Sequence, residues 1–386
     1  MSRLLRIAYV GAFATPPADA ASARVYGIGR ALRQSGHEVI FIGRESGPDV
    51  GHHDGFAFYS RPERGRASSL VSEIFGGDYL ERIRRLPEKP DLVIFYGGFF
   101  PMCLRLARHC RRHGIAMAAD VVECYDPSHL PLGSLGPFRW NADLTFSWFT
   151  PRLGHVICIS RWLNEYYLSR GCHTVQVPPM LDVASLPFRE ASGSAGFRFG
   201  YAGNPGKKDL LGNVLAGVAQ LRAEGIPATV RLIGVSPAAA ADNLAWCGHS
   251  DVNLAEVAEF TAKVTADKVP ELLSDCDFLP LLRPPMRYAQ AGFPTKLTEA
   301  MASGLPVIGN LTSNLDDYLV DGTNAFLARN HCKEAFVEAA RRAWAARDRW
   351  SALRRAARTT AEAGFDYRAH VVALDAFVRA AATPSS

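Results

Sequence analysis

Residues 292–308, Gly292-Phe-Pro-Thr-Lys-Leu-Thr-Glu-Ala-Met-Ala-Ser-Gly-Leu-Pro-Val-Ile308, bring together the side chains best suited to chemistry. Lys296 and Glu299 stand three residues apart, with Thr295 before them and Ser303 after. Such spacings share one face of a helix. A short helix is expected over about 294–303, because Pro294 falls at its first turn and Gly304 just past its last. Leu297, Ala300 and Met301 then point to the core, while Thr295, Lys296, Glu299 and Ser303 fall on the other side. An ammonium, a hydroxyl and a carboxylate converge beside a helix N-terminus, whose N–H groups and dipole attract anions such as phosphate. Glu299 sits deeper and can accept two hydroxyls of a ribose. A phosphate seat next to a diol seat suits a nucleoside diphosphate. The same spacing also fits a solvated surface pair worth about 0.2–0.5 kcal/mol.

A second stretch, Gly203-Asn-Pro-Gly-Lys-Lys-Asp209, joins an expected strand to an expected helix. Glycines let a backbone approach a ligand closely, and Lys207 and Lys208 can balance diphosphate charge. Gly203, Asn204, Gly292, Phe293, Pro294 and Thr295 complete the expected nucleotide contacts. Gly27 and Gly29 lie inside an expected helix, and Gly11 lacks the partners of a dinucleotide fingerprint. A nicotinamide dehydrogenase is therefore disfavoured. Asp275-Cys-Asp277 has the spacing of an Asp-x-Asp metal motif but opens an apolar strand, so no metal site is expected. In the first half, Asp120-Val-Val-Glu-Cys-Tyr-Asp126-Pro-Ser-His129 follows an expected strand. Ligands bind beyond the carboxyl ends of strands in open α/β sheets. Glu123, Asp126 and His129 are thus candidates for sugar or acceptor contacts, together with Gly11 and Ser22 from the first loop.

The elements that must position these residues follow one plan twice. Residues 4–14 read as a strand, 15–22 as a small-residue loop, and the next stretch to about Gln34 as a helix with Val25, Ile28 and Leu32 inward. Gly36 ends it and 37–43 is a strand. Residues 197–202, 203–207, 208–224, Gly225 and 228–234 repeat the order. Each is the βαβ opening of a parallel sheet covered by helices. An α/β chain of two Rossmann-like domains is expected: 1–190, a linker at 191–196, and 197–365. A tail helix follows over 366–386, with Tyr367, Val371, Leu374, Phe377 and Val378 on one stripe. Further strands are expected at 91–96, 115–122, 155–160, 245–246, 277–282, 307–308 and 325–327.

The 291–308 segment resembles the donor-site signature of family-4 retaining glycosyltransferases of the GT-B fold. That pattern is Glu, Gly, Phe, Gly, four variable residues, Glu-Ala-Met-Ala, one residue, Gly, one residue, Pro-Val-Ile. Gly292, Phe293, Glu299 to Ala302, Gly304 and Pro306 to Ile308 match it. Ala291 stands where the family has its first glutamate, a donor-sugar contact, and Pro294 where it has its second glycine. The Gly-Phe-Pro-Thr-Lys variant is similar to a sub-branch of bacterial polysaccharide transferases. In the 203–209 loop the family usually places an arginine where Asn204 stands and a lysine near Lys207 or Lys208. The segments 36–39, 156–161 and 178–182 fit in order.

The resemblance implies two Rossmann-like domains facing a cleft, with the tail helix crossing back to the first. It implies transfer of a sugar from a UDP- or GDP-linked donor to a carbohydrate or polyprenyl-linked acceptor, with retention and with no metal or other cofactor. The leaving charge would be met by Lys207, Lys208, Lys296, Thr295 and N–H groups near 293–295. The leaving phosphate can then serve as base for the acceptor hydroxyl. Two rivals accompany this expectation: a nucleotide-sugar 2-epimerase of the same fold, and a non-catalytic nucleotide-sugar-binding homologue.

Composition sets the outer bounds. A chain of 386 residues has room for two domains. Its 48% hydrophobic and 21% charged residues are ordinary for a globular protein. No apolar run reaches the ~18 residues of a membrane span, and the first residues lead straight into a strand without a signal-peptide pattern. The 8 cysteines are scattered singly, with no Cys-x-x-Cys pair. Neither a zinc site nor a disulfide framework is expected, and a reducing, cytoplasmic setting fits. The net charge of +5 suits an anionic ligand or an anionic membrane surface. The arginine clusters at 82–85 and 105–112 fit solvated helix faces or peripheral membrane contact. No nucleic-acid-binding motif is present.

Overall fold

Strands buried on both faces read as unbroken apolar runs. The first strand here, β1 (Arg6–Gly11), carries Ile7-Ala-Tyr-Val10 without a polar break. The computed structural model describes residues 3–46, 50–61, 66–124, 136–191, 196–206, 208–265 and 268–383. Two units emerge. One holds Met1–Leu181, Ala291–Phe293 and Tyr367–Ser386, and the other Asp182–Gln290 and Pro294–Asp366.

In the first unit β1 is followed by β2 (Glu38–Ser46), β3 (Gly51–His53), β4 (Phe56–Arg61), β5 (Leu92–Tyr96), β6 (Ala116–Val121), β7 (His155–Cys158) and β8 (His173–Gln176). The sheet order is β3-β4-β2-β1-β5-β6-β7-β8. β3 pairs antiparallel with β4, and the other neighbours pair in parallel. Side chains alternate between faces. Ile7 and Tyr9 join Val25, Ile28, Phe41, Leu374 and Phe377 in one core. Ala8 and Val10 join Phe95, Met102 and Leu106 in another. The helix Ala20–Gln34 starts at a capping box: Ser22 N–H donates to Asp19 Oδ1 (2.8 Å), and Asp19 N–H to Ser22 Oγ (3.0 Å). The tail helix Val371–Ala382 buries Leu374, Phe377 and Val378 in this unit.

At the end of β1 the chain must pass against β5. Gly11 has φ +154°, and a Cβ there would lie 1.9 Å from the Tyr96 carbonyl oxygen. The Ala12 N–H then donates to that oxygen at 2.9 Å. A larger residue at position 11 would push the two strand ends apart.

The second unit has β9 (Phe197–Ala202), β10 (Ala228–Ile233) and β11 (Ala258–Thr261) in the order β11-β10-β9. It also has β12 (Leu279–Leu281), β13 (Val307–Gly309) and β14 (Ala325–Leu327), paired in that order. A parallel bridge from Phe199 to Phe278 joins the two ladders, with Gly200 N–H donating to Phe278 O at 2.9 Å. The combined order, β11-β10-β9-β12-β13-β14, is doubly wound, with its switch point between β9 and β12. Asp277 fixes this junction by accepting from Arg198 N–H at 2.7 Å. Asp275 pairs with Arg189. Both acids of the Asp-x-Asp spacing are thereby engaged in structure.

Several sequence expectations change. Residues 245–246 are not a strand. They end the helix Pro237–Trp246, whose Ser236 cap accepts from Ala239 N–H at 3.1 Å. β3, β8 and β11 are edge strands of three or four residues, and β4 lies beside β3; none of them carries a long apolar run. The expected boundary at 190 moves to 181. The buried Arg354 guanidinium donates to the carbonyls of Arg189, Ser274 and Cys276, which holds residues near 189 in the second unit. Ser303, expected on the polar side of its helix, is fully buried and donates to Glu299 O at 3.0 Å.

A buried ion pair ties the first unit together. Arg24 donates from Nη2 to Asp120 Oδ1 (2.7 Å) and from Nη1 to Val177 O (2.9 Å), and Tyr9 Oη donates to Asp120 Oδ2 (2.6 Å). Removing one partner strands the other charge in the core, at a cost of about 3–5 kcal/mol. The Arg24→Leu variant should lose stability of that order in urea unfolding, and the Arg24→Leu/Asp120→Leu pair should lose less than the sum of the two single changes. Strict additivity would contradict the coupling.

Candidate functional site

The switch point of the second sheet lies where β9 and β12 end. β9 runs into Gly203 and its loop, and β12 into Leu282 and Arg283. Leu210 N–H donates to Leu282 O at 2.8 Å, which brings the loop that follows β9 against the end of β12. Buried Asn243 holds the loop from behind. Its Nδ2 donates to Gly206 O (2.8 Å) and Asp209 O (3.2 Å), and its Oδ1 accepts from Gly212 N–H (2.8 Å). Asn310, just past β13, clasps Arg283: its Oδ1 accepts from Arg283 N–H and its Nδ2 donates to Arg283 O, both at 2.9 Å.

These supports set three side chains around one carboxylate. Asp209 Oδ2 accepts from Tyr201 Oη at 2.7 Å and from Lys296 Nζ. Lys296 also donates to Tyr201 Oη and lies 3.9 Å from the centre of its ring. Arg283 Nε sits 3.2 Å from Asp209 Oδ1. The Arg283 side chain is only 7% exposed, yet its Nε and Nη1 make no hydrogen bond among the described residues. One carboxylate thus faces two cations inside the protein. Burial pushes Asp209 up, but the charges of Lys296 and Arg283 outweigh it and hold the carboxyl below its ordinary value. Its contribution to stability is complete above the ordinary carboxyl range and is lost as pH falls below it. Burial pushes the Lys296 ammonium below its ordinary value, against the pull of Asp209.

The helix Thr295–Ala302 carries Lys296 into this cluster, and Leu297, Ala300 and Met301 are buried behind it. Pro294 caps it without a side-chain bond, and among the described residues no side chain accepts from its first N–H groups. Glu299 is half-buried one turn on from Lys296. Burial lifts its carboxyl above the ordinary value, and Lys296 works against that lift. The carboxylate makes no hydrogen bond among the described residues. Chemically, the cluster offers an anion two cations, one buried and one half-buried, and a helix N-terminus, with an acceptor carboxylate beside them.

The other expected site residues are distributed as follows. Gly203 is exposed at φ +86°, and exposed Asn204 accepts from Gly206 N–H at 2.9 Å, shaping the loop. Lys208 and Thr295 are half-buried, and Lys207 lies outside the described residues. Gly292, Phe293 and Pro294 are buried. Ala291 is fully buried in the first unit and accepts from Ser160 Oγ at 2.6 Å through its carbonyl. In that unit Gly11 is packed against Tyr96, and the Ser22 hydroxyl serves its helix cap. That makes Ser22 a structural residue. Glu123 is half-buried, and Asp126 and His129 lie outside the described residues. Among the described residues no cluster of three His, Cys, Asp or Glu has metal-binding geometry. Lys296 differs from its expected state, since it is held by Asp209 and Tyr201 rather than open on a helix face. Sequence reasoning missed Tyr201, Asp209, Arg283 and Asn310. The available signal was their position at strand ends of the switch point.

Two family profiles match the chain: "Glycosyl transferase 4-like domain" over residues 20–179 and "Glycosyl transferases group 1" over residues 196–346. The chain belongs to the family-4-like glycosyltransferases. No curated protein matches it significantly by sequence. Among solved structures, this glycosyltransferase is similar to sucrose-phosphate synthase from Thermosynechococcus elongatus, with a TM-score of 0.75 and 16% identity, over 97% of this chain and 98% of that one. Anabaena HepE in complex with UDP-glucose matches with a TM-score of 0.68 and 14% identity, over 97% and 100%. WaaG, a glycosyltransferase involved in lipopolysaccharide biosynthesis, matches with a TM-score of 0.64 and 14% identity, over 96% and 99%. At these identities the likeness shows the fold: GT-B, two Rossmann-like domains.

The shared carboxylate makes a testable demand. Asp209→Asn keeps the shape but removes the negative charge, which should cost the unliganded glycosyltransferase roughly 3–5 kcal/mol. Inorganic pyrophosphate should raise the melting temperature of the variant by more than that of the wild type, because it restores the missing charge. A variant as stable as the wild type, or one indifferent to pyrophosphate, would contradict the charge count.

Proposed function

We propose that this glycosyltransferase moves a sugar from a UDP- or GDP-linked donor to a carbohydrate or polyprenyl-linked acceptor, with retention of anomeric configuration and without a metal ion. The observation that carries the proposal is a pair of cations, buried Arg283 and half-buried Lys296, sharing one carboxylate beside a helix N-terminus whose cap residue, Pro294, makes no side-chain hydrogen bond. A donor's diphosphate supplies the negative charge this cluster lacks. UDP-glucose bound to the structurally similar HepE supports a nucleotide-sugar donor.

In the proposed reaction the bond between the anomeric carbon and the diphosphate oxygen breaks, and its electron pair leaves with the diphosphate. Lys296, Arg283 and the N–H groups of the helix start stabilise that charge as it develops, with Lys208 as a further cation and Lys207 as the candidate the sequence adds. A phosphate oxygen takes the acceptor hydroxyl's proton while that hydroxyl bonds to the anomeric carbon. Glu299 accepts the two ribose hydroxyls, for which its free carboxylate and half-buried position suit it. On the acceptor side Glu123, Asp126 and His129 are the candidate side chains, and Gly11 and Ser22 shape the loop that precedes them. A role in building cell-surface polysaccharide or glycoconjugate at the cytoplasmic face of a membrane follows from the lipid-linked acceptor. No helix among the described residues is long and apolar enough to cross a membrane, so the contact proposed is peripheral.

Ala291 favours one rival. A fully buried alanine at the family's first glutamate position removes the usual sugar contact, which suits a non-catalytic nucleotide-sugar-binding homologue. Incubation with a panel of UDP- and GDP-sugars, acceptor and EDTA separates the readings. Free nucleoside diphosphate should accumulate only with acceptor present. Glu299→Gln and Arg283→Ala should each slow turnover by about tenfold or more, as expected for ~1–3 kcal/mol of lost hydrogen bonding. Donor isomerisation without acceptor would identify an epimerase, and binding without either reaction would identify a binding homologue. Activity abolished by EDTA and restored by magnesium would overturn the metal-free mechanism.

A further inference from the structure

In the first unit, residues 137–153 form a helix (Pro137–Asp143), a π-helical stretch (Leu144–Phe149) and a closing turn of helix (Thr150–Leu153). The inward side is well anchored. Phe149 is buried, Thr150 Oγ1 donates to Thr145 O at 2.9 Å, and Tyr167 Oη donates to Phe146 O at 3.1 Å. The outward side leaves Trp140 68%, Leu144 42% and Trp148 42% exposed. Arg152 follows at the same spacing, with its guanidinium 4.0 Å from the Trp148 ring centre. Positions 140, 144, 148 and 152 make one stripe, apolar along its length and cationic at its end.

The helix Phe100–Arg112 supplies a second stripe of the same kind. Phe100, Leu104, Arg108 and Arg112 recur every four residues, with Leu104, Arg108 and Arg112 exposed. The stripes meet where the rings of Phe100 and Trp148 lie 5.7 Å apart, and Phe100 N–H donates to Asn141 Oδ1 at 2.7 Å. The charge on this face is one-sided. Residues 100–112 contain no carboxylate, and residues 137–153 contain one, Asp143, which is paired with Arg139 at 2.6 Å.

We infer that this two-stripe face is a docking surface for an anionic lipid bilayer, with Trp140, Leu144 and Trp148 entering the headgroup boundary and Arg105, Arg108, Arg112 and Arg152 meeting lipid phosphates. Exposed tryptophans prefer the water–membrane interface, where their rings are half desolvated. Juxtaposed arginines are drawn to a negatively charged leaflet. A soluble protein partner would fit exposed aromatics as well, but a face of arginines without free carboxylates complements a uniformly anionic surface better. The inference deepens the peripheral-membrane part of the proposed function, yet its test requires no catalysis, so the two can fail separately.

The full chain should be sedimented with vesicles of phosphatidylcholine alone and of phosphatidylcholine mixed with phosphatidylglycerol. Partitioning should require the anionic lipid, and lipids brominated near the headgroup should quench tryptophan emission. Trp140→Ser/Trp148→Ser and Arg108→Glu/Arg112→Glu should each reduce partitioning by about tenfold or more. Both variants should keep the wild-type melting temperature and its shift with pyrophosphate, which shows that fold and anion site are intact. Partitioning unchanged in the variants, or equal on neutral and anionic vesicles, would overturn the inference. Wild-type self-association abolished by the same substitutions, without vesicle binding, would overturn it in favour of a second copy of the chain.

Discussion

Asp209 is one buried negative charge set against two positive ones, buried Arg283 and half-buried Lys296, and the second unit is built to keep it so. Tyr201 comes from β9, Arg283 from the end of β12, and Lys296 from the helix that precedes β13. Three separate elements therefore have to end at one point. The parallel bridge between Phe199 and Phe278 brings β9 beside β12, and Asn310 and Asn243 fix the backbones on which the charged groups stand. Arg283 keeps N–H groups that nothing in the described residues accepts. Such groups are costly inside a protein and strongly favour a ligand that satisfies them.

The first unit offers a useful contrast. Arg24 and Asp120 are buried more deeply than the Asp209 cluster, and Tyr9 stands to Asp120 much as Tyr201 stands to Asp209. There, however, Nε, Nη1 and Nη2 of Arg24 all donate, and one carboxylate meets one guanidinium. The charges balance and the polar groups are satisfied, which fits a structural lock. The two networks share their chemistry and differ in their accounting, and that difference separates a fastening from a site.

Sequence pattern carried the architecture well where strands are buried on both faces. β1 and β5 are apolar runs, and β9 and β10, though each carries one arginine, keep their apolar residues buried; glycine or polar turns bound the strands, and the two βαβ openings stand out for that reason. Short strands such as β3, β8 and β11 have three or four residues and no continuous apolar run, so tertiary pairing rather than local preference defines them. The segment 292–308 pointed to Lys296 and Glu299 because helical spacing places them together. It did not point to Arg283 or Asp209, which come from distant segments and meet only through strand order. Ser22 and Ser303 looked available for ligands because hydroxyls are small and polar. Each is taken by backbone partners within one helical turn, as happens often to serines near helix ends.

Where a nucleoside diphosphate binds decides whether the Asp209 cluster is the donor site. A crystal structure of the protein with UDP or GDP is the most direct measurement. The predicted result places phosphate oxygens at about 2.7–3.2 Å from Arg283 Nη1 and Lys296 Nζ, with the ribose hydroxyls on Glu299. A diphosphate bound elsewhere, with Arg283 still turned to Asp209 and Lys296 to Asp209 and Tyr201, would contradict it.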